Sequence, residues 1–170
     1  VKSSGVLLEK GARKLGLTPQ VAPVAVLSQP YRGRPACIHC GFCMGFGCEA
    51  NAKSSTLAAM IPEAHASGHC EIRPHSTVHR LEVDNRNRVR EVIYFDKNGQ
   101  EQSQRARAFI LAANGAETPR ILFMSESARF PDGLANGSGL VGKHLMFNAH
   151  STTYGLFEEQ LNEYKSIQCT

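Results

Sequence analysis

The segment spanning residues 71–113, EIRPHSTVHRLEVDNRNRVREVIYFDKNGQEQSQRARAFILAA, decides the fold. In its first part, apolar residues alternate imperfectly with polar ones at Val78, Leu81 and Val83. A polar turn at 84–87 then leads into VREVIYFD. Asn98-Gly99 is the strongest hairpin signal in the chain, and it connects this strand to QSQRARAFI. Together these patterns predict a three-stranded antiparallel meander.

A different pattern follows the meander. Residues 109–113, FILAA, form a short continuous apolar run that predicts a strand buried on both faces. After the Asn114-Gly115 turn, Thr118-Pro119 has the residue types of an N-cap and first helical position, which predicts a helix to about Ser125. A strand, a glycine turn and a helix start are typical of phosphate and dinucleotide sites.

Helices are also predicted before the meander. Residues 4–16 carry apolar residues at helical spacing, with Ser4 as the candidate N-cap and Gly16 as the stop. Four prolines make 18–36 an extended connector. A second helix is predicted from a cap at Ser55 to Gly68, with a kink at its internal proline. The predicted fold class is therefore α/β, of the α+β kind.

Composition excludes several function classes. The chain has 170 residues, 42% hydrophobic and 20% charged, which fits a packed domain and excludes a disordered, collagen-like or coiled-coil chain. No apolar run approaches the ~20 residues that span a bilayer, so we expect no transmembrane segment. The net charge of +4 comes from scattered basic residues, and only 7% of residues are aromatic, so we expect no nucleic-acid partner.

Four cysteines form the densest chemical cluster. Cys37, Cys40, Cys43 and Cys48 follow the spacing C-x2-C-x2-C-x4-C, with three nearby glycines to let the loop turn. Thiolates at such short spacing can converge on one centre. The bacterial ferredoxin run, C-x2-C-x2-C-x3-C, is one residue shorter at its last gap.

Three interpretations of the cysteines remain open. An iron–sulfur cluster needs thiolates at this spacing. A zinc knuckle usually separates its two C-x-x-C arms by a longer loop. Local disulfides or packed free thiols would need no metal. The spacing favours a metal over disulfides without choosing the metal, and the cysteines are compatible with either the periplasm or the cytoplasm.

Three segments, in this order, resemble the glucose–methanol–choline (GMC) family of FAD-dependent oxidoreductases. RPACIHCGFCMGFGCEANAKSST resembles the cysteine stretch of the gluconate 2-dehydrogenase-like branch, although the last gap between cysteines differs by one residue. FILAANGAETPRILFMS is similar to the family's strand, turn and helix, and GSGLVGKHLMFNAH is close to its G-L-V-G-K/R-N-L-M segment. The resemblance covers most of 32–150.

The resemblance implies an FAD enzyme that oxidises a CH–OH group of a sugar, sugar acid or alcohol by hydride transfer to the flavin. It implies that the backbone of Val78 contacts the adenine. It also implies that one turn and helix start line the FAD site, namely Ala112, Ala113, Asn114, Gly115, Thr118 and Pro119. The cysteines could then host an iron–sulfur cluster on the path to an electron-acceptor subunit, or only hold their loop together.

The family pattern also leads us to expect that this chain is a central portion of a longer enzyme. The family's dinucleotide fingerprint and its catalytic histidine both lie outside the matching segments, so no residue here is expected to be catalytic. We expect a helix and connector at 1–36, and the cysteine loop with the C-terminal part of the FAD-binding domain at 37–129. A loop and the entry to a substrate domain are expected at 130–170. The alternatives are an independent iron–sulfur electron-transfer module and a zinc-stabilised interaction domain without catalysis.

Overall fold

The computed structural model describes residues 2–43, 45–149 and 153–164. His150, the last residue of the GMC-like segment GSGLVGKHLMFNAH, lies outside these ranges. The chain forms two compact units, one from Val1–Ile72 with Thr153–Thr170 and one from Arg73–Thr152. These limits differ from the domain boundaries expected above, which stay a prediction for the intact protein. Within the described ranges, no helix is both long and apolar enough to cross a membrane.

The unit at 73–152 is built on the predicted meander. Strands β1 (Thr77–Val83), β2 (Val89–Phe95) and β3 (Glu101–Arg105) form an antiparallel sheet in the order β1-β2-β3. A register shift opposite Ile93 places a bulge in β1 between Val78 and Arg80. The three-stranded antiparallel sheet and the flanking helices confirm the predicted fold class. β3 is shorter than predicted, and all five of its residues are exposed.

The two turns of the meander are built alike. In the first, Asp84 Oδ1 accepts hydrogen bonds from the backbone N–H groups of Arg86 and Arg88, at 2.8 and 3.0 Å. In the second, Asp96 Oδ1 accepts the equivalent bonds from Asn98 and Gln100, at 2.8 and 3.0 Å. The left-handed positions are Asn87 and Gly99, with φ of 60° and 74°. Asn98-Gly99 therefore marks the hairpin correctly, within a loop of residues 96–100.

Helix α3 (Asn114–Met124) packs against β1. At its C-terminal end, Ser125 is buried; its Oγ accepts a hydrogen bond from Leu81 N at 2.8 Å and donates to Ile121 O at 2.6 Å. The small core of this unit consists of Ile93, Ile121 and Leu134, each less than a tenth exposed. Burial of these side chains and the Ser125 bridge hold the helix on the edge strand.

The chain returns to α3 through Gly133. Its φ is +89°, and a Cβ placed there would lie 2.7 Å from Leu122 O and 2.9 Å from Phe123 Cα. The next residue, Leu134, donates its N–H to the same Leu122 oxygen at 2.9 Å. Only glycine permits both this backbone conformation and this close approach.

The prediction of a buried strand at 109–113 is wrong. The segment forms no strand, Ala113 lies in a bend, and Ile110 is 93% exposed. A strand buried on both faces needs partner strands and covering layers. Among the described residues the sheet contains only β1, β2 and β3, and none of them pairs with this segment.

The other unit contains helix α1 (Ser3–Lys14), close to its predicted limits, with the predicted glycine stop at Gly16 (φ +74°). The predicted cap is wrong, because Ser4 lies inside the helix. Its N–H and hydroxyl both donate to the Glu163 carboxylate, at 2.7 and 2.9 Å. A carboxylate from far along the chain thus supplies the acceptor expected from a local cap.

The second predicted helix begins as expected and then changes type. Ser55 Oγ accepts a hydrogen bond from Ala58 N at 3.1 Å, which confirms the predicted cap. Residues Thr56–Met60 form a π-helical turn, and α2 (Ile61–Ala66) follows with Pro62 in its first turn. Because proline has no N–H to donate, the regular α pattern is interrupted at this junction.

Candidate functional site

The first turn of α3 carries most of the residues assigned to the FAD site. Asn114 has φ of +71°, and its Oδ1 accepts hydrogen bonds from Ala116 N at 2.8 Å and Glu117 N at 3.0 Å. This is the hydrogen bonding of a helix cap. The predicted cap at Thr118 and first position at Pro119 are therefore wrong, because the helix begins four residues earlier.

Thr118 has a different role in the same turn. Its Oγ1 accepts a hydrogen bond from Ala113 N at 3.2 Å. This bond joins the helix to the residue that precedes the Asn114 cap. This second bond and the Asn114 bonds together fix the backbone from 113 to 118. Ala112, Asn114 and Gly115 remain exposed, and Pro119 is half-buried. The turn is therefore held rigidly while its outer surface stays open to a ligand.

Val78 lies next to this helix on β1. Its carbonyl oxygen accepts a hydrogen bond from Arg120 Nη2 at 3.0 Å, and Arg120 Nε is held by Glu117 Oε2 at 2.7 Å. The structure thus joins Val78 to α3, whose first turn contains the other assigned residues. The β-bulge immediately follows Val78. The sequence does not indicate the contact between Arg120 and Val78, since an Arg–Glu pair three residues apart is ordinary on a helix surface.

The second and third family-like segments meet in a groove of about 440 Å³. Gly115, Ala116 and Pro119 line it on the α3 side, and residues 142–146 line it on the other. The two segments contact each other closely at both ends of the groove. A Cβ at Gly115 would lie 3.3 Å from Leu145 Cδ1, and one at Gly142 would lie 2.9 Å from Phe123 Cε2. Two segments more than 20 residues apart in sequence therefore form one surface.

The cysteine loop belongs to the other unit and is closed by a short pair of chain segments. Leu27 N donates to Ala52 O at 3.0 Å, Ser54 N donates to Ala25 O at 2.7 Å, and Ala52 is fully buried between them. Arg34 clamps the end of the loop by donating to Asn51 O, Ala52 O and Ser54 Oγ, at 2.9, 3.4 and 3.1 Å. The Ala-Lys-Ser part of the motif therefore serves to close the loop.

Backbone N–H groups lower the pKa of one cysteine in the loop. The pKa of the Cys48 thiol is lowered, chiefly by the hydrogen bond from Lys53 N–H, with weaker contributions from the N–H groups of residues 50–52 and against the opposing effect of burial. The Lys53 ammonium donates to Cys43 O at 2.5 Å. Lys53 therefore contacts the loop twice, through its backbone and its side chain.

The structure does not bring the four cysteines together as a metal centre. Cys37, Cys40, Cys43 and Cys48 are half-buried free thiols. In the described part of the chain, no group of three or more Cys, His, Asp or Glu side chains is arranged to hold a metal ion. Metal binding by these cysteines stays a prediction.

Comparison with known proteins identifies the family. A sequence model of GMC oxidoreductases matches residues 4–147, which include the cysteine loop, the meander, α3 and the groove. The chain belongs to the GMC oxidoreductase family. This GMC chain is 37% identical over 133 residues to the fructose dehydrogenase large subunit of Gluconobacter japonicus, covering 78% of this chain and 24% of that protein.

Other relatives of this GMC chain differ in their named substrates. It is 30% identical over 154 residues to paromamine 6'-oxidase of Streptomyces fradiae, covering 90% of this chain and 28% of the relative. It is 34% identical over 123 residues to 2-methyl-1,2-propanediol dehydrogenase of Mycolicibacterium austroafricanum, covering 72% of this chain and 22% of the relative. The chain spans about a quarter of the length of these curated relatives.

Proposed function

We propose that the protein containing this chain is an FAD-dependent oxidoreductase of the gluconate 2-dehydrogenase-like branch. It acts on a CH–OH group of a sugar, sugar acid or alcohol. The observation that carries this proposal is the GMC family match over 4–147. Relatives named for the dehydrogenation of fructose and of a propanediol support the substrate class.

The residues of the 73–152 unit fit one end of the cofactor. The Val78 carbonyl oxygen already accepts a hydrogen bond from a donor on α3, and an adenine amino group is a donor of the kind it would take. Ala112, Ala113, Asn114, Gly115, Thr118 and Pro119 would line the site, on a turn held by side-chain-to-backbone bonds. Small residues and backbone groups of this kind let a dinucleotide approach closely.

When bound, FAD supplies the hydride acceptor for a carbinol carbon. The role we assign to this chain is to bind and orient the cofactor. Val78 would contact the adenine, and the rigid first turn of α3 would fix the position of neighbouring cofactor atoms. We assign no catalytic residue among residues 1–170.

The test of this function uses the full-length protein. Flavin released by acid should be identified as FAD by chromatography, and anaerobic addition of sugars, sugar acids and alcohols should bleach the bound flavin for at least one substrate. Deuterium at the carbinol carbon should slow the bleaching if hydride transfer is the chemistry. Protein without flavin, or with flavin that no hydroxyl compound reduces, would contradict the proposal.

The cysteine loop requires a separate test, because the described thiols are not arranged around a metal and no step is assigned to them. Metal and sulfide analysis of anaerobically purified protein distinguishes the remaining possibilities. Iron with acid-labile sulfide would support the iron–sulfur prediction, and zinc would support a structural site. An electron-acceptor subunit is also proposed, supported by a relative named as a large subunit. Its test is co-purification of a second polypeptide with the full-length protein.

A further inference from the structure

Arg120 makes an unusual contact for a residue on a helix surface. One nitrogen of its guanidinium, Nη2, donates to the backbone oxygen of Val78 at 3.0 Å, across 42 positions of sequence. Its Nε donates to Glu117 Oε2 at 2.7 Å. Two nitrogens of the planar guanidinium are therefore engaged at once, Nε by a neighbour on the helix and Nη2 by a strand carbonyl.

This contact restrains a backbone group beside a β-bulge. The register of β1 shifts between Val78 and Arg80, so the ladder with β2 is irregular immediately after Val78. Peptide orientation is less constrained at such a point than in a regular ladder. Val78 itself pairs with Tyr94 of β2, and the Arg120 hydrogen bond adds a restraint on its carbonyl from α3.

A carbonyl oxygen can accept two hydrogen bonds, and Arg120 uses one. We propose that Arg120 is a positioning residue of the adenine subsite: it fixes the Val78 carbonyl oxygen so that its second lone pair accepts the adenine amino group. This inference rests on the proposed function. Arg120 acts through the Val78 carbonyl and is not a catalytic residue.

The proposal predicts base discrimination. Flavin hypoxanthine dinucleotide carries an oxygen in place of the adenine amino group, so it presents an acceptor to the Val78 oxygen. Two acceptors repel, and a carbonyl held in place cannot turn away from the mismatch. The ratio of dissociation constants, hypoxanthine form over FAD, should therefore be high in the wild type and depend on Arg120.

The experiment measures both dissociation constants by flavin fluorescence with full-length apoprotein. Arg120→Met should weaken FAD binding and lower the discrimination ratio, each by about tenfold, the size expected for one charge-assisted hydrogen bond. Arg129→Met is the matched control. Arg129 also donates to a backbone carbonyl, Asn85 O at 2.9 Å, but at the first turn of the meander. Its removal should leave the ratio unchanged.

Two further variants keep the test decisive if Arg120→Met does not fold. Arg120→Lys retains the charge without the two separate nitrogen donors, and Glu117→Gln weakens the ion pair that orients Nε. Both variants should lower the discrimination ratio. An unchanged ratio in folded Arg120 variants overturns this inference while FAD binding by the wild type still supports the proposed function. Equal binding of the two dinucleotides by the wild type also overturns the inference. Absence of FAD binding by the wild type overturns the proposed function and this inference with it.

Discussion

Asp84 and Asp96 occupy equivalent positions in the two turns of the meander. Each carboxylate accepts backbone N–H groups two and four residues ahead, at matching distances of 2.8 and 3.0 Å. Each residue also pairs its own N–H with the carbonyl of the residue four ahead, Arg88 or Gln100, at 2.8 and 3.0 Å. The two turns that connect the strands therefore share the same hydrogen-bonding pattern.

The first prediction concerns the pH dependence of stability. The pKa of Asp84 is lowered chiefly by the Arg88 N–H, and that of Asp96 chiefly by the Gln100 N–H. A carboxyl whose pKa is lower in the folded state stabilises the fold above its unfolded pKa, about 4, and loses that contribution as the pH falls through the folded pKa. The free energy of unfolding should therefore decrease below about pH 4.

The double variant Asp84→Asn, Asp96→Asn provides the measurement. Asparagine keeps the Oδ1 acceptor but does not titrate, so denaturant unfolding at a series of pH values should show a shallower decrease than in the wild type. Alanine at either position removes the acceptor and should destabilise the protein at neutral pH as well. A pH dependence that is unchanged in the double asparagine variant would show that these turns do not produce it.

The second prediction concerns Ser125. Replacement by alanine removes the acceptor of the Leu81 N–H and should lower the free energy of unfolding by about 1–3 kcal/mol, the cost of a buried unpaired donor. Denaturant unfolding measures the change. Ser138→Ala is the control, because Ser138 Oγ receives only an exposed N–H at 3.4 Å. Equal effects of the two substitutions would refute the role of Ser125 in joining α3 to β1.

The third prediction concerns Gly133. Alanine here would adopt an unfavourable φ and bring its Cβ to 2.7 Å from Leu122 O. We expect destabilisation of about 2 kcal/mol or more, since neither strain can relax by a side-chain movement. Gly137→Ala is the matched control, because nothing lies within 4 Å of its Cβ. A melting temperature of Gly133→Ala as high as that of the control would contradict this account.

The fourth prediction concerns the start of α3. Asn114→Ala should cost about 1–2 kcal/mol of stability through loss of the cap. Asn114→Asp should retain most of it, because its carboxylate accepts the same two N–H groups. Thermal unfolding ranks the variants. Loss of stability in the aspartate variant equal to that in alanine would mean that the amide, and not an acceptor oxygen, is required.

The sequence predicted what depends on local patterns. The meander was found because the Asn98-Gly99 turn and the surrounding alternation are both local signals. The cap at Ser55 and the stop at Gly16 were found for the same reason. The family resemblance, carried by three short segments, was confirmed by the match over 4–147.

The remaining features depend on contacts between distant residues. The apolar run at 109–113 indicates burial but does not specify which partner provides it. Thr118-Pro119 has the residue types of a helix start, but Asn114 and Glu117 form the Asn-x-x-Glu pattern of an earlier start, which is the one that the structure uses. No local pattern places Arg120 on Val78 or Glu163 on Ser4, because those contacts span 42 and 159 positions.

The composition of β3 bears on solubility. An edge strand offers unpaired backbone groups to any other chain, and apolar edges lead to intermolecular strand pairing. Every residue of Glu101–Arg105 is polar or charged and exposed. If β3 of a second molecule paired with this strand, the polar and charged side chains of both strands would lose bound water. The cost of that dehydration opposes aggregation. Among the described residues β3 is an outer strand of the sheet, and its composition opposes strand pairing with another molecule there.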